Sequence, residues 1–189
     1  MSEILKPGSH FVFMKVGTHA QEPLEEILAR KRQEIADEGF ALWGYGGNTC
    51  HPLRMIQPFV RDYAELGETL YLVMQPMNSR HFAVTERAAE YSADGITWAP
   101  VPRGINVIGS RFAMAIDDLR DEVFDLPLAD TRVAYGMSAG KRGDRYIMGH
   151  VDKGCLEVVE PDEGDATAVA RVRIGLVARL VEPYAVLVR

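Results

Sequence analysis

The chain has 189 residues, 47% of them hydrophobic and 25% charged, which excludes a disordered or fibrous polymer and is enough for one well-buried core. With 21 Lys and Arg against 27 Asp and Glu the formal net charge is -6, so the field of the whole molecule opposes nucleic acid and anionic membrane while allowing a local basic groove. Two cysteines without paired spacing give neither a disulfide framework nor a zinc signature, and the N-terminal stretch lacks the apolar run of a signal peptide; one single domain over 1–189, with free thiols and in a reducing cytoplasm, is expected.

The first predicted element is a strand over "HFVFMKVG" (10–17), where β-branched and aromatic residues run into a closing glycine. A helix follows over 22–38. Leu24, Ile27, Leu28 and Ile35 share one helical face, Pro23 suits a first turn, acids precede bases, and Gly39 is placed to end the helix in a left-handed cap. "FALWGYG" then reads as a second strand, and "PLRMIQPFVRDYAEL" as a short helix interrupted at Pro58, which has no N–H to donate. From residue 69 the runs "TLYLVMQPM", "RHFAVTERAAEYS", "ITWAPVP", "INVIGSRFAMAI", "RVAYGMS", "RYIMGHV", "GCLEVV" and "ARVRIGLVARLV" favour short strands between Gly, Pro and Asp punctuation. Within "AIDDLRDEVFDLP" (115–127), Ile116, Leu119 and Val123 suit one short amphipathic helix, and "EPDEGDAT" (160–167) an exposed acidic loop or hairpin turn. In the last run Val172, Ile174, Leu176, Ala178 and Leu180 alternate with Arg171, Arg173, Gly175, Val177 and Arg179. One face is apolar and one mixed and solvated, and the arginines exclude a bilayer span. The fold class implied is α+β: a mostly antiparallel curved sheet or partial barrel packed by one long amphipathic helix and shorter helices.

Two motifs invite more than they support. "YSADGITW" (91–98) resembles the Asp-box of sialidase-type propellers, but its Asp and Gly are adjacent, one residue too close, and it occurs once where a propeller needs several blades. Asp94-Gly95 as the positive-φ pair of a tight hairpin explains it, with Tyr91 and Trp98 on the flanking strands. "GMSAGKRGDR" (136–145) has three residues between its glycines instead of four, and Arg142 follows Lys141 where a phosphate loop needs Ser or Thr. It reads as a solvated hairpin loop whose Lys141, Arg142 and Arg145 leave anion contact as a lesser option. Cys50-His51 is geometrically awkward as a nucleophile and base, since neighbours in extended chain face opposite ways, and the histidines form no His-Glu-x-x-His helix. No metal is expected.

The densest chemistry lies in "GFALWGYGGNTCHPLR" (39–54). If it enters as a strand, Phe40, Leu42 and Gly44 face one way and Ala41, Trp43 and Tyr45 the other. Gly46 and Gly47 then allow an unobstructed turn, and Asn48, Thr49, His51 and Arg54 supply donors ahead of the next helix. Arg80 and Arg111, each at the end of an apolar run, are candidates to converge on the same region. The leading expectation is therefore a cytoplasmic small-molecule or nucleotide-binding domain with a mixed aromatic and cationic pocket. The ligand-binding residues would be Trp43, Tyr45, Gly46, Gly47, Asn48, His51 and Arg54, joined by Arg80 and Arg111. Trp43 and Tyr45 as plain core residues are the alternative. No cofactor, catalytic residue or oligomeric state is assigned. A nucleic-acid or protein-interaction module using Arg171, Arg173 and Arg179 is a rival, disfavoured by net charge, and a transferase or hydrolase with carboxylate catalysis is another.

Overall fold

A computed structural model of the chain describes residues 3–81, 84–148, 151–161 and 170–189. Strand β1 (His10–His19) leads into helix α1 (Leu24–Glu38) and strand β2 (Ala41–Tyr45). Helix α2 (Gln57–Ala64) precedes β3 (Tyr71–His81), β4 (Glu90–Ser92), β5 (Ala99–Pro100), β6 (Phe112–Pro127) and β7 (Thr131–Val133). Helix α3 (Gly143–Ile147), β8 (Lys153–Val158) and β9 (Arg171–Val188) complete the order. The strands join in one sheet along the path β2-β6-β9-β3-β1-β8-β7, with β4 pairing on β9 and β5 on β4.

This architecture corrects the expected fold class. Strands make up 44% and helices 21%, the sheet is mixed, and among the described residues it is not closed. The parallel pair is β1 with β3, matched from Phe11 opposite Tyr71 to His19 opposite His81. Parallel neighbours need a long crossover, which α1, β2 and α2 supply. The helix at 24–38 does not pack the sheet as a long apolar face either. Its buried residues are Ile27, Leu28, Lys31 and Glu34, so an ion pair occupies half of the inward stripe, while Leu24 and Ile35 are only partly buried. Gly39 ends it as expected, at φ 83° with its N–H donating to the Ile35 carbonyl at 2.9 Å.

Several local expectations also change. Residues 115–127 belong to β6, not to a helix, because β6 pairs with β9 over most of its length. Irregularities between Met114 and Ile116, Ile116 and Asp118, and Asp121 and Phe124 each shift the phase of the two-residue alternation, so a bulged strand imitates helical spacing. Val123, part of that apparent helical face, is exposed. The described part of "RYIMGHV" contributes the end of α3, its residues 149 and 150 lying outside the described residues, while "ITWAPVP" supplies only the two-residue β5 and "INVIG" no strand. Pro58 sits in the first turn of α2, preceded by a π-turn over Pro52–Ile56 in which the Gln57 N–H reaches the Pro52 carbonyl. Between β4 and β5 the loop is wider than a two-residue turn, and only Gly95 of the Asp94-Gly95 pair has positive φ. All of "EPDEGDAT" after its first two residues lies outside the described residues.

The largest core cluster gathers residues from β1, β2, β3, β6, β8 and β9 with α1 and α2, including Val12, Trp43, Tyr45, Cys50, Phe59 and Cys155. A second cluster on the other sheet face holds Phe11, Phe13 and Val73, and a third places Leu42 with Ile105, Val107 and Val186. β2 thus sends Ala41, Trp43 and Tyr45 to the first cluster and Leu42 to the third, the two faces expected from its alternation.

Candidate functional site

A cavity of about 370 Å³ opens beside the first cluster, lined by β1, α1, β2, the 106–110 segment and the start of β8. Trp43 and Tyr45 form its aromatic wall at 4% and 2% exposure, with Val16 and Ile27 completing the apolar part. Gly46 borders it, and Gly44 admits Ser110 closely, since a Cβ there would stand 2.3 Å from the Ser110 hydroxyl oxygen. The Tyr45 hydroxyl donates to the Cys50 carbonyl at 2.5 Å, and burial pushes its phenol far above the ordinary range. Cys50 adopts φ 58°, a left-handed conformation that suits glycine, and its thiol hydrogen-bonds that of Cys155; both cysteines are free and buried. This thiol contact and burial raise the pKa of Cys155.

The polar wall comes from α1. Arg30 donates from Nε to Glu22 at 3.0 Å, from Nη2 in a second bond to the same carboxylate, and from Nη1 to Glu34 at 3.1 Å and to the Asn106 carbonyl at 2.8 Å. Lys31, 2% exposed, donates to Glu34 at 2.8 Å and to the same carbonyl at 2.6 Å. Burial pulls its pKa down to about 8 against the opposing pull of Glu34. Glu34 also accepts from the Asn106 N–H at 3.0 Å, so helix and loop are held together by charge as well as packing. On the far side, His19 Nε2 faces the Ile108 and Gly109 carbonyls at 3.1 Å each and Ser110 Oγ at 3.4 Å. Two carbonyl acceptors require the proton on Nε2, so this nitrogen cannot take one from Ser110, which donates to Ile108 at 3.1 Å. The Ser110-His19 contact is therefore not a nucleophile with its base.

The remaining residues singled out from sequence fall elsewhere. Gly47, at φ 87°, sits just beyond the cavity wall, where a Cβ would lie 3.5 Å from Lys153 Nζ. Asn48 is exposed on the turn. His51 caps the π-turn, its Nδ1 accepting from the Leu53 N–H at 3.3 Å, with Phe112 5.3 Å away. Burial, then Arg54 and Arg111, lower its pKa. Arg54 and Arg80 are exposed, and Arg111 is exposed with its guanidinium 5.4 Å from the Phe112 ring. Trp43, Tyr45 and Gly46 thus meet in one cavity, while Asn48, His51, Arg54, Arg80 and Arg111 lie outside its lining.

Sequence reasoning passed over Lys31, Glu34 and Lys153. Lys31 falls four residues after Ile27 and four before Ile35, inside the apolar stripe, and a charge there was a readable sign of a buried ion pair. Lys153, next to Asp152, offered no such sign. Arg173 and Arg179 are bound to Asp125 and Asp117, at 3.0 Å and 2.7 Å, across the β6–β9 pair. Arg142 pairs with Asp144 at 2.7 Å, and Trp98 lies under the Arg189 guanidinium, 3.9 Å from the ring centre. Among the described residues no helix is long and apolar enough to cross a membrane, and no group of three or more His, Cys, Asp or Glu is placed to hold a metal ion. No family model matches the chain, and neither the curated proteins nor the solved structures contain a match to it.

Proposed function

We propose that the chain is a small-molecule-binding protein of the reducing cytoplasm whose ligand occupies the cavity between Trp43 and α1. The observation that carries this reading is the cavity: about 370 Å³, with an aromatic and aliphatic wall facing a hydrogen-bonded charged one. That volume falls within the size range of small-molecule sites, and such sites are built from apolar walls with a few fixed polar groups. Arg30, Lys31 and Glu34 are fixed to one another and to the Asn106 backbone, and Gly44 seats the Ser110 side chain against β2, so both walls are held by contacts within the protein.

The test uses Trp43 as reporter. In a Trp98→Phe background Trp43 is the sole tryptophan, and compounds from a fragment library that enter the cavity should change its emission and raise the melting temperature. Val16→Phe, which adds a ring to the cavity wall, should remove both effects while leaving a cooperative unfolding transition. Ligands that bind parent and Val16→Phe equally well would place the site elsewhere.

A further inference from the structure

Resting on that reading, we infer that the cavity takes a monocarboxylate with an apolar body, and that Lys153 is the residue that receives its carboxylate. Lys153 is 7% exposed and lines the cavity, with its ammonium 5.8 Å from the centre of the Tyr45 ring. Among the described residues it has no hydrogen-bond acceptor and no ion-pair partner. Its neighbour Asp152 is exposed and forms no ion pair with it. Its ammonium nitrogen is not among the buried polar atoms left without a partner, so water reaches it; a ligand that displaces that water must supply a negative oxygen, because a ring face at that distance replaces only part of the lost hydration.

The other cations around the cavity are already committed. Lys15 donates to the Ile147 carbonyl at 3.2 Å, Arg30 is shared between Glu22 and Glu34, and Lys31 is held by Glu34 and the Asn106 carbonyl. Lys153 is therefore the cation of this lining whose ammonium has neither a hydrogen bond nor an ion pair among the described residues, and a single carboxylate would satisfy it. A phosphate dianion would bring a second negative charge into a lining that already holds the Glu22 and Asp152 carboxylates.

A second donor points to the same chemistry. Trp43 is 4% exposed, lines the cavity, and its indole N–H has no acceptor among the described residues. An indole N–H and an ammonium can only donate, so both ask for an acceptor, and a carboxylate offers two oxygens with several lone pairs. Val16, Ile27 and the ring of Tyr45 supply surface for a hydrocarbon or aromatic body. At organic packing density the space suits a ligand on the order of fifteen non-hydrogen atoms.

The experiment compares 3-phenylpropionate, its neutral counterpart 3-phenylpropan-1-ol and the dianion phenyl phosphate by calorimetric titration of the full chain at pH 7.5. The acid should bind the parent at least tenfold more tightly than the alcohol and more tightly than phenyl phosphate. In Lys153→Met the acid should fall to the affinity of the alcohol, whose own binding is retained and shows that the variant is folded, whereas Lys153→Arg should keep the preference. If Lys153→Met does not fold, Lys153→Gln carries the same comparison. Equal binding of acid and alcohol by the parent, or an acid preference that survives loss of the ammonium, overturns the role of Lys153 while leaving the cavity as a binding site. Tighter binding of phenyl phosphate overturns the ligand class. Binding of none of the three overturns the assignment for this class of body, and the Val16→Phe library test then decides separately whether the cavity binds anything.

Discussion

Lys31 shows how far burial alters one side chain. Its ammonium touches Glu34 and the Asn106 carbonyl, yet loss of water outweighs both, and its pKa falls from the ordinary 10.5 to about 8. An unfolded lysine keeps its proton until about 10.5, so between pH 8 and 10.5 the unfolded chain binds more protons than the folded one. Stability from this group must therefore rise with pH across that window. Denaturant unfolding of the parent and of Lys31→Met should show the parent gaining relative to the variant, by up to about 3 kcal/mol at the full width of the shift. Glu34 keeps Arg30 and the Asn106 N–H in the variant, so the comparison isolates the lysine. A difference that stays flat from pH 8 to 10.5 would show that Lys31 is hydrated in the folded protein.

At the scale of elements, the loop joining β4 to β5 is organised by one carboxylate. Asp94 accepts from the Ile96 and Thr97 N–H groups, both at 2.7 Å, and from the Ser92 hydroxyl at 3.0 Å. These bonds favour the charged form and hold its pKa down to about 2. Because that value lies below the ordinary 3.8, the bonds contribute fully above pH 4 and are lost as the pH falls toward 2. Carboxyl NMR of Asp94 should show a midpoint near 2, and the stability gap between parent and Asp94→Ala should close over the same range. The sequence made this loop legible as a turn through Asp94 and Gly95, but not its width, which follows from how β4 meets β9. The same division holds elsewhere. α1 and β2 declare themselves through caps, periodicity and alternation, all local. β6 does not, because its bulges and its pairing with β9 are set by a partner roughly sixty residues downstream, and local spacing then suggests a helix. For the site, β2 alternation told which face Trp43 and Tyr45 share, whereas Lys153 joins them through the non-local order of the sheet.

For the molecule as a whole, charge sets what can approach. The net charge of -6 is reinforced locally where Arg173 and Arg179 are neutralised by Asp125 and Asp117. A surface that tracks phosphates must release counterions and show steep salt dependence. Retention of the parent on single-stranded nucleic acid should be weak near physiological salt, and replacing Arg171, Arg173 and Arg179 together with Gln should leave it unchanged. Tight retention abolished by that replacement would shift the function to the sheet face.

The strand order also dictates when the molecule can be made. β9, the last strand in chain order, lies between β6 and β3, so before it is synthesised the path is two separate pieces, β2-β6 and β3-β1-β8-β7. Neither piece can align against the other until the final strand reaches both, at Leu72 opposite Ala178 and Leu119 opposite the same Ala178. Such distant closure slows folding and leaves two open sheet edges on the nascent chain, each a template for pairing with a neighbour. Completion of the fold thus waits on one strand, and slowing translation upstream of β9 lengthens the interval in which the unfinished chain is prone to aggregate.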